Sequence, residues 1–440
     1  MADFPKILSE NWDVENSHTL EVYESHGGYV ALKKVLTGDK ITPEALREEV
    51  KTSGLRGRGG AGFPTGVKWG FVPQNIDKPK YLLVNADESE PGTFKDRFIM
   101  DYDPHMMIEG SILSSYAINA NDCFIYIRGE YGWLVDRLEE AIEEAYAKGY
   151  LGKNILGSGF DCEMIVHKGA GAYICGEETG LINSLEGLKG QPRIKPPFPA
   201  VVGFLDCPTI VNNVETVASV PWIVNNGANA YAAIGTEKST GTKLFSVSGP
   251  VKRPGVYEIP LGLPMKELLM GNDYCQGMKD GVELKACIPG GSSVPILNAE
   301  ETLACNVDYE SFAEHGTMLG SGGCIVVGND ANMPELLKNL IQFYHHESCG
   351  QCTPCREGTG WLDMILERML NGEGRPKDLE LLDRIGNNMM GTTICVLADA
   401  AVMPCQSFIK KFRDEFEALL PDMEEPEDYI PTTSSAELPR

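Results

Sequence analysis

The chain has 440 residues, of which 42% are hydrophobic and 23% are charged, and its formal net charge is −25 at pH 7. This composition is ordinary for a globular protein, and the length suffices for two to four domains. Nucleic-acid binders need clustered Lys and Arg to neutralise phosphates, and a strongly negative chain argues against that class. We therefore expect no nucleic-acid partner.

The cysteine content and the N-terminus bear on location. No apolar run approaches the roughly 20 residues that cross a bilayer, and residues 1–10 lack the basic start and apolar stretch of a secretory signal. Thirteen cysteines, an odd number, then favour a reducing compartment, where thiols are buried or ligate metals. We expect a cytoplasmic protein with no membrane span of its own.

The first 238 residues alternate between helical and strand patterns, which predicts an α/β domain with at least partly parallel strands. The predicted helices are 43–52, 104–119 and 133–148, and the predicted strands are 81–84, 123–128 and 161–167. Glycine-rich and acidic loops follow the strands, where open α/β sheets bind ligands. The proline-rich segment 192–208 is predicted to be extended.

Two further domains follow. Short β-type runs near 243–248, 255–259, 286–288 and 324–327, with a helix near 264–270, predict a small α+β domain over 239–330. After Pro334 the apolar residues recur with the 3.6-residue period of a helix. One apolar face is predicted from Leu336, Leu337, Leu340, Ile341 and Tyr344. Further helices at 357–370, 376–389 and 399–420 predict a bundle over 331–420, and an acidic tail over 421–440 is predicted to be mobile or docked on a partner.

The strongest chemical signal is the C-x2-C-x2-C run of Cys349, Cys352 and Cys355. Three thiolates at this spacing, completed by a fourth, are typical of a [4Fe–4S] site. Structural zinc sites use two separated C-x2-C pairs instead, so zinc is the weaker alternative. Cys395 and Cys405 both follow, and Cys395 is preferred because it lies in a less regular segment than the predicted helix around Cys405.

A glycine-rich stretch spans 54–66 and matches G-x-G-x-x-G at Gly57–Gly62. The dinucleotide fingerprint needs a preceding strand and a following helix. Here a helix precedes and 63–66 is predicted to be a turn, so an ordinary Rossmann interpretation fails. A flat ring or phosphate could still approach this backbone, with Arg58 and Lys68 supplying positive charge. A flexible surface loop is the alternative.

Polar side chains crowd two of the strand-end loops. Asn85, Asp87, Glu88 and Glu90 fall within six positions, and Glu177 and Glu178 follow a second glycine loop. Carboxylates and amides suit ribose or ribityl hydroxyls and the nicotinamide amide. Asn212 and Asn213 add an amide pair after Val211. A solvated turn is the alternative for the first loop.

With these residues in view, the sequence resembles the NADH-binding, FMN-containing subunit of respiratory complex I, the proton-pumping NADH:quinone oxidoreductase (the 51 kDa-type F subunit). The matching motifs are 57–69, 85–95, 171–187, 211–216 and the four cysteines. The resemblance implies a Rossmann-like FMN and NADH domain, a β-grasp domain of the soluble-ligand-binding type, and a C-terminal helical bundle carrying the [4Fe–4S] cluster. It also supports Cys395 as the fourth ligand.

The resemblance also assigns site residues. It implies that FMN contacts Gly57, Gly59, Lys68, Asn85, Asp87, Tyr173, Gly176, Glu177, Asn212, Asn213 and Thr216. Further cofactor-binding residues are expected to be Arg58, Gly60, Glu88 and Val211. It implies that the adenine of NADH stacks between Phe63 and Phe71, with Glu90, Glu178 and Lys195 at its riboses, amide or phosphates. Glu178 and Glu90 are the expected catalytic residues. Glu178 is expected to tune the flavin potential and the affinity for nicotinamide.

The implied reaction is hydride transfer from NADH to FMN, followed by single-electron transfer to the cluster and onward to quinone. The implied partners are a thioredoxin-like [2Fe–2S] subunit, further iron–sulfur subunits and membrane subunits, with the protein peripheral on the cytoplasmic side of the cell membrane. One alternative is the diaphorase subunit of a soluble NAD-linked hydrogenase or formate dehydrogenase. Another is a non-catalytic scaffold that has lost its flavin.

Overall fold

Four parallel strands form the sheet of the N-terminal half in the computed structural model, which describes residues 4–421. They are β1 (Tyr81–Ala86), β2 (Asp122–Ile127), β3 (Glu163–Lys168) and β4 (Thr209–Asn213), in the order β3-β2-β1-β4. The register pairs Asn85 of β1 with Asn213 of β4, so the carboxyl ends of the two strands coincide. The predicted parallel α/β arrangement is confirmed, and the polar loops share one edge of this sheet.

Helices cover both the sheet and its connections. They are α1 (Leu20–Ser25), α2 (Val30–Lys33), α3 (Pro43–Thr52), α4 (Thr65–Gly70), α5 (Asp96–Tyr102), α6 (Pro104–Ile118), α7 (Gly132–Lys148), α8 (Glu178–Leu185), α9 (Val214–Ala218), α10 (Val220–Asn226) and α11 (Ala228–Ala232). α3 begins as predicted, with Pro43 in its first turn and the Thr42 hydroxyl accepting from Ala45 N. α6 is buried on nearly every side and packs against α3, α7, α9 and β1.

A second, five-stranded sheet follows in the order β6-β5-β9-β7-β8. Its strands are β5 (Thr242–Ser248), β6 (Gly255–Pro260), β7 (Leu284–Ile288), β8 (Leu297–Asn298) and β9 (Gly323–Gly328). β5 pairs antiparallel with β6 and parallel with β9. The helices of this region are α12 (Met265–Met270), α13 (Ala299–Ala304) and α14 (Tyr309–Glu314). The four predicted strands and α12 are confirmed, whereas β8, α13 and α14 were not predicted.

The C-terminal region is helical, as predicted. It comprises α15 (Met333–Glu347), α16 (Thr353–Leu370), α17 (Asp378–Met389), α18 (Leu397–Lys411) and α19 (Arg413–Glu417). The single helix predicted over 399–420 is wrong, because the chain leaves helical geometry at Phe412 between α18 and α19. Leu336 is 37% exposed, and only the other four members of the predicted apolar face of α15 are buried. The predicted tail lies outside the described residues from 422 onward.

Three hydrophobic cores hold these layers together. One lies under the helices of the N-terminal half, and one lies inside the five-stranded sheet region. The third joins residues of all three regions, among them Leu83, Ile288 and Leu362. Within residues 4–421, no helix combines the length and apolar character needed to cross a bilayer.

Candidate active site

The glycine-rich loop folds back on itself before α4. Gly57 N donates to the Phe63 carbonyl oxygen at 2.8 Å, and Arg56 pairs with Pro64 as an isolated antiparallel bridge. The turn predicted over 63–66 is wrong, because α4 begins at Thr65 with Pro64 as its N-cap. The loop therefore leads directly into a helix, although the element before it is also a helix.

Contacts with two other segments fix this loop over the end of β4. A Cβ at Gly59 would lie 3.0 Å from the Asn213 Cβ, tighter than an ordinary contact, so a larger residue would require Asn213 to shift. Arg58 N donates to the Thr216 hydroxyl at 2.9 Å, and the Tyr309 hydroxyl donates to the Gly57 carbonyl at 3.1 Å. The loop thus presents bare backbone beside the strand-end polar groups.

The Arg58 side chain does not lie with the loop surface. It is buried, and its Nη2 donates to the Tyr231 hydroxyl at 3.1 Å and to the Thr240 carbonyl at 2.7 Å. Its Nε and Nη1 have no hydrogen-bond partner among the described residues. The charge that the sequence analysis expected on the loop surface therefore lies underneath it, and of the two predicted cations only Lys68 is in reach of the polar loops.

Asp87 and Gly176 meet at the end of β1. The Asn85 side-chain amide donates to the Gly176 carbonyl at 2.8 Å, and Ser89 donates to Asp87 Oδ1 at 3.0 Å. Asp87 Oδ2 is buried and has no partner within the described part of the chain. Burial raises the pKa of Asp87 to about 7. A Cβ at Gly176 would lie 3.4 Å from this oxygen, so the glycine leaves room beside an unpaired acceptor.

Glu88, in contrast, has protein donors on its carboxylate. It accepts from the backbone N–H groups of Asp96 and Arg97 at 2.7 and 3.2 Å and from the Tyr131 hydroxyl at 3.1 Å. Negative charge at a helix start is stabilising, so Glu88 holds the first turn of α5. Its predicted contact with a cofactor has no support from this orientation.

Two lysines and two glutamates form a compact charged cluster above the sheet edge. Lys68 Nζ lies 3.1 Å from Glu178 Oε2 and 3.0 Å from the Val211 carbonyl oxygen. Lys195 Nζ lies 2.9 Å from Glu177 and 3.3 Å from Glu178. Burial alone would raise the pKa of Glu178, but Lys68 and Lys195 outweigh it and the net pKa is lowered. The Glu178 carboxylate is therefore ionised at neutral pH.

Glu177 and the asparagine pair also have internal partners. Glu177 Oε2 accepts from Thr179 N and Gly180 N, and so caps α8. Asn212 Oδ1 accepts from the Trp69 indole at 2.8 Å, and Asn213 Nδ2 donates to Asp96 at 2.6 Å. These side chains shape the walls of the site through bonds within the protein.

Glu90 faces Tyr173 across the site. The Tyr173 hydroxyl donates to Glu90 Oε2 at 2.7 Å, and Ser293 N donates to Oε1 at 2.8 Å. Burial raises the pKa of Glu90, although these hydrogen bonds oppose that rise. Ser292 and Ser293 were missed by the sequence analysis. The Gly290–Gly291 pair immediately before them is the signal that could have identified their loop.

Phe63 and Phe71 are exposed by 46% and 54%, unusually open positions for aromatic side chains. Their ring centroids are 6.0 Å apart with an interplanar angle of 48°. An aromatic ring sandwiched between them needs about 7 Å, two van der Waals stacking distances. The rings would have to separate slightly and become parallel to admit adenine. Gly60, also on this loop, has nothing within 4 Å of its Cβ position.

Four cysteines line one pocket in the C-terminal region. Its walls include Ile174, Ser348, Gln351 and Ile394 together with Cys349, Cys352, Cys355 and Cys395. Cys352 is the N-cap of α16, and Cys355 lies in its first turn. This helix begins at Thr353, four residues earlier than the predicted start at 357. Cys405 is buried inside α18 and does not line the pocket. Among residues 4–421, no three metal-binding side chains converge on a single-ion site.

The comparisons with known proteins agree with this geometry. Residues 50–222 match the Nuo51 FMN-binding domain, and residues 335–419 match the NADH-ubiquinone oxidoreductase-F iron–sulfur binding region. An F subunit of NADH-quinone oxidoreductase from Rhizobium meliloti is 50% identical over 94% of this chain and 97% of its own length. The F subunit from Mycobacterium bovis is 51% identical over 93% of this chain and 92% of its own.

A solved structure is also similar. The crystal structure of NAD⁺-reducing [NiFe]-hydrogenase in the H₂-reduced state superposes with a TM-score of 0.83 at 35% identity, covering 96% of this chain and 67% of that one. One family match covers most of the strand-end loops, and the other covers the four cysteines. The chain therefore belongs to the family of NADH-quinone oxidoreductase F subunits, with an FMN-binding domain and a [4Fe–4S] region.

Proposed function

We propose that this chain oxidises NADH beside an FMN held at the strand-end loops and passes the electrons to a [4Fe–4S] cluster held by Cys349, Cys352, Cys355 and Cys395. One observation carries the proposal. The short turn Tyr173–Gly176 contributes Tyr173 and Gly176 to the strand-end site and Ile174 to the cysteine pocket. The strand-end site and the cysteine pocket therefore share residues of one short turn, which supports a short path for electrons.

The residues at the sheet edge fit a flavin mononucleotide. The bare backbone of 57–60 admits a flat ring, and the unpaired Asp87 Oδ2 can accept a hydroxyl donor of the ribityl chain. Lys68 can face an anionic group. Thr216 and Glu177 accept from backbone N–H groups around the site, and Asn212 and Asn213 bond the side chains of Trp69 and Asp96. When bound, FMN takes a hydride from NADH and gives up electrons singly.

The protein's own groups would orient NADH. Phe63 and Phe71 offer two exposed faces for the adenine, and Lys195 offers a cation for a phosphate. Glu90 and Glu178 are the carboxylates placed to accept from ribose hydroxyls or the nicotinamide amide. No proton transfer by a side chain is required, so both act by binding and by their charge.

The cysteine pocket fits an iron–sulfur cluster by its donor set. Four thiols on two segments suit a [4Fe–4S] cluster, whose ligands are thiolates. Ile394 N lies 3.4 Å from Cys352 Sγ, and a backbone N–H directed at a ligand sulfur stabilises its negative charge. Cys352 and Cys355 also lie at the start of α16, where negative charge is favoured.

We further propose that the chain works as a peripheral subunit on the cytoplasmic side of a membrane complex. Its expected partners are a thioredoxin-like [2Fe–2S] subunit, further iron–sulfur subunits and membrane subunits, with quinone as the final acceptor. The region 239–330, with its strand order β6-β5-β9-β7-β8, is proposed to be a β-grasp domain. Copurification with mass identification of the neighbouring subunits tests these assignments.

The purified protein tests the core of the proposal. We expect a yellow flavin absorbance and NADH-dependent reduction of ferricyanide. A colourless, inactive protein that still carries its cluster would overturn the enzymatic function. The fold likeness to the NAD⁺-reducing hydrogenase favours a second candidate, a diaphorase subunit of a soluble enzyme. Copurification of hydrogenase subunits in place of membrane subunits would select that alternative.

A further inference from the structure

The last turns of α15 contact Tyr173 directly and reach Glu90 through Ser292. The Tyr344 hydroxyl lies 2.7 Å from Ser292 Oγ, and Ser292 Oγ lies 3.3 Å from Glu90 Oε1. The Phe343 ring packs edge-on against Tyr173 at 5.2 Å, and Glu347 accepts from Tyr173 N at 2.9 Å. The helix that leads into Cys349 is thus bonded to the NADH side of the site.

The direction of this hydrogen-bond chain follows from its end. Ser292 Oγ donates its single hydroxyl proton to Glu90 Oε1, because a carboxyl oxygen is the acceptor in this bond. The Tyr344 hydroxyl must then donate to Ser292, because the serine proton is already used. Tyr344 is fully buried, so its hydroxyl has no water to replace this partner. The chain runs Tyr344 to Ser292 to Glu90.

The loop of residues 290–293, which carries Ser292, packs closely against Glu90. A Cβ at Gly291 would lie 2.6 Å from Glu90 Cγ, and Gly291 has a φ of +92°, so both space and backbone demand glycine there. Ser292 N donates to the Pro91 carbonyl at 3.1 Å. The loop after β7 therefore fixes the backbone on either side of the carboxylate, while Tyr344 fixes the serine hydroxyl.

We infer that Tyr344 is a positioning residue for NADH binding, acting through Ser292 on Glu90. The inference rests on the proposed function, because it takes Glu90 as a contact of NADH. Three regions of the molecule meet in this chain: Glu90 from the α/β domain, Ser292 from the second sheet region and Tyr344 from the helical region. NADH affinity then depends on a helix that does not touch the nucleotide.

The test uses the full-length protein loaded with FMN and its cluster, in the variants Tyr344→Phe, Ser292→Ala and both together. Each single variant is expected to raise the KM for NADH and the Kd for NAD⁺ about fivefold, the scale of one hydrogen bond. The kcat for ferricyanide reduction is expected to change less than about twofold, since ground-state binding is what is lost. The double variant should be no worse than the more affected single variant.

Two further variants separate the possible outcomes. Tyr116→Phe is the matched control, because its hydroxyl donates to the Ile41 carbonyl at 2.9 Å, on another part of the molecule. Glu90→Gln tests the proposed function directly. If Glu90→Gln alters the KM but Tyr344→Phe and Ser292→Ala do not, the positioning role is overturned and the proposed function stands.

The remaining outcomes are equally decisive. If Glu90→Gln leaves the KM and Kd unchanged, the assigned role of Glu90 falls, and the positioning inference falls with it. FMN and iron contents are measured for every variant. If Tyr344→Phe loses either cofactor, Ser292→Ala alone decides, because it removes the same link without disturbing the packing of α15.

Discussion

At the residue scale, Asp87 has two linked properties. One of its oxygens is buried without a partner among the described residues, and burial raises its pKa to about 7. An unpaired buried acceptor is costly, and a ligand hydroxyl would remove that cost. The ionised form accepts such donors best. Binding of FMN should therefore strengthen as the pH rises through 7.

We predict that the Kd for FMN of the wild-type chain rises about tenfold per pH unit below pH 7. The Asp87 carboxyl must lose its proton before it can accept from both the Ser89 hydroxyl and a ribityl hydroxyl of FMN. Asp87→Asn should weaken FMN binding on the order of 10- to 100-fold at pH 8 and make it nearly independent of pH. Equilibrium titration of the apoprotein measures both effects. Asp39→Asn, at an exposed position, is the control, and a pH-dependent Asp87→Asn variant would contradict the assignment.

Glu178 lies between two cations, so its charge bears directly on the proposed flavin. Glu178→Gln removes the negative charge and leaves Lys68 and Lys195 without this partner. We predict that the flavin midpoint potential rises by roughly 20–40 mV, about 1–2 kcal/mol for a two-electron couple. NADH and NAD⁺ affinities should also change. Redox titration of the loaded protein measures the potential.

A matched control exists for this prediction. Glu24 also forms ion pairs with two lysines, Lys33 and Lys148, and belongs to α1, away from the candidate site. Glu24→Gln should leave the flavin potential and nucleotide affinities unchanged. If Glu178→Gln leaves all three quantities unchanged as well, Glu178 has no influence on the flavin.

Sequence reasoning selected residues that the structure brings together, but it did not predict the directions of their side chains. Spacing and strand-end position identified Asp87, Lys68 and the four cysteines, because these signals are local. It also placed Arg58 and Glu88 in the ligand site. Burial of Arg58 under its own loop, and the capping of α5 by Glu88, depend on segments far apart in the chain that no local pattern reveals.

At the scale of elements, α9 and β5 are joined by buried charges. Glu215 of α9 accepts from Lys243 Nζ at 2.5 Å, from Leu244 N at 2.8 Å and from Lys95 Nζ at 2.8 Å. Glu215, Lys243 and Lys95 are all essentially inaccessible to solvent. Burial lowers the pKa of Lys243 to about 7, against the opposing attraction of Glu215. The pair fixes the second sheet region to the helix that follows β4.

Glu215→Gln should therefore be strongly destabilising. Removing the Glu215 charge leaves the buried Lys243 without its ion-pair partner, although Lys95 keeps Asp96, and losing one partner of a buried pair costs about 3–5 kcal/mol in the free energy of unfolding. Urea denaturation of the full chain measures the change. The control is Glu48→Gln, whose exposed pairing with Lys51 on α3 is worth about 0–1 kcal/mol. Equal effects of the two substitutions would contradict the inferred role of burial.

The helices predicted correctly are those whose own residues show a helical hydrophobic period or an N-capping residue. α3 has its threonine cap and first-turn proline, and α7 has an amphipathic pattern. Residues 63–66 were predicted to be a turn, but α4 begins at Thr65, because packing of Trp69 in the core outweighs the weak helix propensity of Gly66 and Gly70. The break between α18 and α19 was not predicted, because no proline or glycine lies at that point of the sequence.

At the scale of the whole molecule, the helical region is not a separate body. Its core continues into residues of β1 and β7, and Ile174 reaches from the α/β domain into the cysteine pocket. The strand-end site and the cysteine pocket nevertheless use different side chains. Flavin and cluster occupancy should therefore be separable by substitution, although the regions pack together.

We predict that Cys395→Ser abolishes the iron–sulfur absorbance and lowers the iron content, while FMN content and bleaching of the flavin by NADH persist. Cys405→Ser should keep both cofactors, because this thiol is buried inside α18 and away from the pocket. Asp87→Asn should give the reverse result, with little flavin and normal iron. Iron analysis and absorbance spectra of the three variants measure these contents. Loss of iron in Cys405→Ser but not in Cys395→Ser would reassign the fourth ligand, and loss of both cofactors in every variant would show that the pockets form as one unit.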